Sequence, residues 1–156
     1  MEILNDYSTS VKKALEEIDP NYLNYKGLVI CGTHDPHNTE EMIGLIKIAR
    51  EEGIPFLGIC FGYQLCAIEY ARNVLGIKDA TSEEFGTGTF VVKKLPELKV
   101  GLHEGESYWN NYEVDLLDLK IPQNFFVSQF HPEYQSSKDK PHPLLVNFIN
   151  YARNQI

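Results

Sequence analysis

Cys60 stands in the segment P-F-L-G-I-C-F-G-Y-Q-L (55–65), with Gly58 and Gly62 two residues to either side. The apolar run before it reads as a buried strand and the residues after it as a helix. A cysteine at such a strand-to-helix elbow has the placement of a nucleophile. The tight turn lifts the side chain clear of the sheet, and the flanking glycines remove Cβ atoms that would collide. The helix N-terminus then faces the sulfur and favours its anionic form. It also leaves backbone N–H groups free for a developing oxyanion. The same pattern describes a structural cysteine packed between two glycines, and the elbow alone does not separate the two. Cys66, mid-helix, and Cys31, at a strand end, read as buried small hydrophobes.

A thiol nucleophile needs a base that takes its proton and returns it to the leaving group. The segment F-V-S-Q-F-H-P-E-Y (126–134) places His131 just after another apolar run, with Glu133 two residues on and Pro132 between them. A carboxylate at that offset can accept from one ring nitrogen and hold the imidazole in one tautomer. Alone, His131 is an ordinary surface histidine. Paired with an upstream elbow cysteine it becomes a specific combination, because groups at the carboxyl ends of parallel strands meet on one edge of the sheet.

The elements that must position these residues follow from hydrophobic periodicity. Helices are predicted over 8–18, with Ser8 as cap; over 39–52, capped by Asn38 with Glu41 and stopped by Gly53; over about 61–75, closed by Gly76; and over about 143–154. Short apolar runs at 28–31 and 54–59 suit strands buried on both faces. Segments 89–92, 112–117 and 125–130 read as later strands. Alternating strands and helices with short connections predict a three-layer α/β sandwich with a mostly parallel central sheet, in one domain over 1–156.

With 156 residues, 43% apolar and 12% aromatic, the chain can bury a real core. A net charge of -8 argues against nucleic-acid and anionic-membrane partners. No apolar run approaches the roughly 20 residues of a membrane span. The acidic N-terminus lacks a signal-peptide core, so a cytoplasmic location is expected. Three cysteines are too few for a disulfide framework.

The stretch I-P-F-L-G-I-C-F-G-Y-Q-L-C-A-I-E-Y-A-R-N-V-L-G-I-K-D-A-T-S-E-E-F (54–85), together with Q-F-H-P-E-Y-Q-S-S and the downstream K-P-H-P-L-L, resembles the class I glutamine amidotransferases, and within them the glutaminase domain of CTP synthase. The resemblance implies a flavodoxin-like fold and a Cys60–His131–Glu133 triad that releases ammonia from glutamine, or a γ-glutamyl-like amide, through a thioester. It implies oxyanion donors at Phe61 and in the Gly32–Thr33 loop, a place for the amino-acid end of the substrate at Gln64 and Glu84, and further contacts at Asn111 and Tyr112. It implies no cofactor. It allows a separate synthetase subunit as partner.

Departures from the family pattern matter. Thr33 replaces a glycine of the oxyanion loop, and its β-branched backbone is stiffer. Asn111 stands where the family carries an arginine for the substrate carboxylate, which removes a bidentate cation. The first strand is short, and a strand is expected to be missing between 18 and 28. These changes keep open a second reading, a catalytically impaired relative that binds an amide or a regulatory partner. In the loop C-G-T-H-D-P-H-N, Cys31, His34, Asp35 and His37 are metal-ligand types, but the spacing lacks the paired pattern of a zinc site, and a polar loop lining the pocket is the reading adopted. His103, Glu104 and Glu106 read as solvated and His142 as a surface turn. Tyr108 and Trp109 either cover the pocket or pack, and packing is the reading adopted.

Overall fold

The computed structural model describes residues 1–155. Its central sheet is parallel, in the order β1 (Glu2–Leu4), β2 (Leu28–Ile30), β3 (Phe56–Ile59), β7 (Phe125–Ser128). Continuous apolar runs suit these strands because both faces are covered. Leu28, Ile30 and Phe56 face one layer, formed by helices α2 (Thr39–Glu52) and α3 (Phe61–Asn73). Val29, Cys31, Leu57 and Ile59 face the other, formed by α1 (Ser8–Ile18) and α4 (Pro143–Arg153). The three-layer α/β expectation is met. Between Ile18 and Leu28 the chain makes a single 3₁₀ turn, Tyr22–Asn24, where no strand was expected.

The four helices fall where periodicity puts them, but two caps differ. Helix α1 is preceded by Tyr7, whose N–H reaches Gly32 O at 3.4 Å, so Ser8 is already helical. Asn38 does precede α2, with φ at 53°, and its side chain makes no capping bond. An N-cap normally has extended backbone that aims its oxygen at the first free N–H groups. The left-handed backbone at Asn38 aims it elsewhere, so the box with Glu41 does not form. Gly53, with φ at 70°, ends the helix as expected.

A second sheet packs against α3. It holds β4 (Ala80–Ser82), β5 (Thr89–His103) and β6 (Glu106–Val114). The sequence reading missed β4 and divided the rest too finely. Strands β5 and β6 form a long antiparallel hairpin from Val92↔Val114 to His103↔Glu106. Its turn residues Glu104 and Gly105 both have positive φ, 54° and 82°. That is the backbone of a two-residue primed turn, whose twist matches the strands it joins.

Helices α2 and α3 are tied by Arg50, which makes two hydrogen bonds to Glu69, at 2.8 and 2.9 Å. Glu69 is buried within α3 and also accepts from Asn73 at 2.9 Å. A buried carboxylate of this kind is tolerated because it is paired on both oxygens.

Two glycines give opposite outcomes. A Cβ at Gly62 would lie 2.2 Å from Ile30 O, a backbone atom of the central sheet. Gly62→Ala is expected to cost about 3 kcal/mol or more, or to prevent folding. Gly44, mid-helix in α2, has nothing within 4 Å of such a Cβ. Gly44→Ala is expected to stabilise by about 0.5–1 kcal/mol. Thermal unfolding of the two variants checks both signs.

Candidate active site

Cys60 is the residue between β3 and α3. Its N–H donates to Ser128 O at 2.7 Å and its carbonyl accepts from Gln64 N at 3.1 Å, so one end belongs to the sheet and the other to the helix. Joining the two forces φ to 54° and ψ to -100°. A non-glycine residue held there stores of order 1–3 kcal/mol, which the surrounding packing must offset. The flanking glycines behave as the sequence predicts. Gly62 lies against Ile30 O, and a Cβ on Gly58 would meet Gly62 C at 3.0 Å and the Phe56 ring at 2.8 Å.

His131 follows β7 and is 3% exposed. Its N–H donates to Ser107 O on β6 at 2.7 Å, so the hairpin helps set its height. Its Nδ1 donates to Glu133 Oε2 at 2.8 Å. Glu133 is itself buried, and its Oε1 has no partner among the described residues. The imidazole stacks on Tyr134, centroids 4.9 Å apart. A Cβ on Gly32 would come within 3.2 Å of His131 Cε1 and 3.9 Å of Cys60 Cβ, so that loop lies directly over both groups. Burial alone would pull the His131 pKa down. Hydrogen bonds to Cys60 and then to Glu133, with the charges of both, outweigh it and push the pKa well above the ordinary imidazole range. The sulfur also lies 3.5 Å from Gln129 Nε2 and 4.0 Å from Trp109 O. Cys60, His131 and Glu133 thus meet in one place.

Beside the sulfur is a pocket of about 40 Å³ whose lining includes Thr33, Phe61, Gln64, Glu84, Asn111 and Tyr112, all nominated from sequence, together with His34, Trp109 and Asn110. Gln64 is buried and donates through Nε2 to Tyr112 O at 3.1 Å. Asn110 is buried and donates to the same carbonyl at 2.9 Å. Burial raises the Glu84 carboxyl to about 7. Thr33 is pinned in place of a flexible glycine. Its hydroxyl donates to Asp6 Oδ2 at 2.8 Å and accepts from Asp35 N–H at 3.0 Å.

Several expectations change. Trp109, taken as a packing residue, covers the site: its ring lies 5.1 Å from that of His34, which in turn lies 5.3 Å from Tyr7. Tyr108 does pack, against Phe130 at 6.0 Å. His142 is a helix cap. Its Nδ1 accepts from Leu144 N–H at 3.1 Å, which leaves Nε2 to donate to Glu106 Oε2 at 3.0 Å. Glu106 is therefore paired. Cys31 and Cys66 are buried thiols pushed up to about 12 by burial. Among the described residues no three His, Cys, Asp or Glu side chains converge as a metal site, the loop of Cys31, His34, Asp35 and His37 included. No helix among them is long and apolar enough to cross a membrane. Sequence reasoning missed Asn110, Gln129 and Tyr7. Asn110 and Gln129 sit one and two residues from nominated positions, and no periodicity marks Tyr7.

Glu84 carries a pH signature. Its carboxyl holds a proton in the folded state up to about 7, against 4.5 ordinarily. The folded form then binds more protons than the unfolded form between those values, so this group's contribution to stability falls as pH rises through that window. Glu84→Gln should match the wild type near pH 4 and be the more stable protein at pH 8. Melting temperatures across that range check it.

Three comparisons bear on this geometry. The family model described as glutamine amidotransferase class-I matches residues 4–117. CTP synthase of Methanoregula boonei is 32% identical over an alignment covering 83% of this chain and 34% of that protein. CTP synthase of Methanothrix thermoacetophila is 33% identical, covering 90% and 36%. The chain therefore spans about a third of the length of these curated relatives. The glutaminase domain of Trypanosoma brucei CTPS, solved with acivicin bound, superposes with a TM-score of 0.78 over 99% of this chain and 93% of that one, at 19% identity, a likeness of fold. By the extent of the family match, the chain belongs to the class I glutamine amidotransferases.

Proposed function

We propose that this domain hydrolyses a terminal carboxamide, of glutamine or a γ-glutamyl-like amide, through a thioester on Cys60. The observation that carries the reading is the buried His131, bonded through Nδ1 to Glu133 at 2.8 Å and lining the same small cavity as Cys60. Glu133 holds the ring so that Nε2 serves the sulfur.

Cys60 Sγ attacks the amide carbon, and its proton resides on His131. The tetrahedral oxyanion is met by the N–H of Phe61 at the start of α3 and by the Gly32–Thr33 loop. On collapse the C–N bond breaks, His131 gives its proton to the departing nitrogen and ammonia leaves. Water then adds to the thioester while His131 takes its proton. The C–S bond breaks, the carboxylic acid departs and the thiol is restored. Glu84 and Gln64, at the far wall, hold the amino end of the substrate.

The site is cramped. A pocket of about 40 Å³ holds little more than one water. In this reading His34 and Trp109, both on its lining, shift as an amide enters. That favours a domain that stays quiet until a partner, such as a synthetase subunit, shifts the β5–β6 hairpin. Trp109→Ala is then expected to raise basal ammonia release several-fold.

The test of the main reading is ammonia release from a panel of carboxamides. Cys60→Ala should abolish it, and His131→Ala should lower kcat by about three orders of magnitude or more. A diazo ketone mimic of the amide side chain, offered with its α-carboxyl free and as a methylamide, should label Cys60 once per chain. Folded protein that binds amides calorimetrically, never turns them over and stays unlabelled would be a binding protein instead.

A further inference from the structure

We propose that the substrate of this site bears a free ammonium group but a neutral α-carboxyl end, as in glutamine joined through its α-carboxyl to an amide or peptide, because the pocket's lining carries open acceptors and a carboxyl but no cation. The inference rests on the reading of Cys60 as an amide-cleaving nucleophile and narrows its substrate.

The accounting starts at one carbonyl. Tyr112 O accepts from Gln64 Nε2 at 3.1 Å and from Asn110 Nδ2 at 2.9 Å. These are the buried side-chain amides of the pocket, and each commits one N–H to the protein's own backbone. The same lining carries unmet acceptors. Asn110 Oδ1 is buried and has no partner among the described residues. Glu84 adds a carboxyl on the same lining. An orphaned buried acceptor keeps its desolvation cost until a donor reaches it. An ammonium supplies three donors and a charge complementary to ionised Glu84.

A carboxylate finds the reverse. No lysine or arginine lines the pocket. The donors left over are neutral: Asn111, the Tyr112 hydroxyl and one N–H each of Gln64 and Asn110. His34 sits at the mouth, exposed, with its ring between those of Tyr7 and Trp109. Bringing a carboxylate in therefore costs its hydration without a bidentate cation in return. Converting it to an amide removes that cost and adds an N–H that the open acceptors can use.

The experiment compares kcat/KM for L-glutamine, its α-N-methylamide and N-acetyl-L-glutamine, with the deamidated product followed by mass spectrometry. The methylamide is expected to exceed L-glutamine by about tenfold or more, through KM, since one charged hydrogen bond is of that size. N-acetyl-L-glutamine, which lacks the ammonium, should be the poorest. Asn111→Arg should move the preference back toward L-glutamine. Equal rates, or a preference for L-glutamine in the wild type, overturn the inference and leave the amidase reading standing. Absence of turnover with all three, with Cys60 unlabelled by either diazo ketone, overturns both.

Discussion

The site depends on a backbone contact with no room for a side chain. Helix α3 begins so close to β2 that a single carbon on Gly62 would sit 2.2 Å from Ile30 O. That approach fixes the start of the helix over the sheet edge and leaves Cys60 to absorb the angle between strand and helix, with φ at 54°. Strain at one residue is tolerated because packing on both sides determines it: Phe56, Phe61 and Leu65 are all but fully buried around it. The sulfur is thereby held near the ring of His131 without any contact of its own having to secure it. Geometry of this origin is stiff, which suits a nucleophile that must be aligned before substrate arrives.

Charge is arranged around the same point. His131 is buried, and burial works against its cationic form, yet the carboxylate of Glu133 and the neighbouring sulfur raise its pKa. The buried imidazole is held between these two groups, and such contacts are strongest where water stays out. Tyr134 stacks on one face of the ring, and only the missing Cβ of Gly32 separates that loop from Cε1. A Cβ there would lie 3.2 Å from the ring carbon, so a larger residue at 32 would require the imidazole to shift. Thr33, the next residue, takes over rigidity by a different means, a hydroxyl tied to Asp6 and to the Asp35 amide.

Much of this was legible in the sequence, for identifiable reasons. The layers follow from apolar runs whose alternate residues face opposite helix pairs, as Val29 and Ile30 do. The pairing of Cys60 with His131 follows from both lying at carboxyl ends of parallel strands. Illegible were the features set by tertiary contact. Asn38 has the right side chain for a cap and the wrong backbone for one. Three-residue β4 carries too little pattern to stand out, and it exists because β5 pairs with it. Trp109 read as a packing residue because on a two-stranded ribbon the same alternation serves solvent, core or cavity. His142 read as a surface turn because its role is written in Leu144 N–H and Glu106, one local and one 36 residues away.

The hairpin β5–β6 joins these threads. From one strand, β6, come Ser107, which fixes the His131 backbone, Trp109, which covers the sulfur, and Asn110 to Tyr112, which line the pocket. Base position, access and substrate polarity are therefore not independent. A shift of β6 along its own axis would move all three together, and the Tyr112 carbonyl that occupies both buried amides would move with them. The rest of the hairpin projects past the body of the domain with Leu98, Val100 and Leu102 exposed on alternate positions. Whatever bears on that ribbon bears on Ser107 and Trp109 through the antiparallel ladder, since Val100 pairs with Trp109 and Leu102 with Ser107. The ladder is stiff along the strands and pliant at the register break between Lys94 and Lys99, where β5 can bend without breaking pairs. Of the two halves of the site, the elbow is built into the core, and the hairpin is the half that lies exposed.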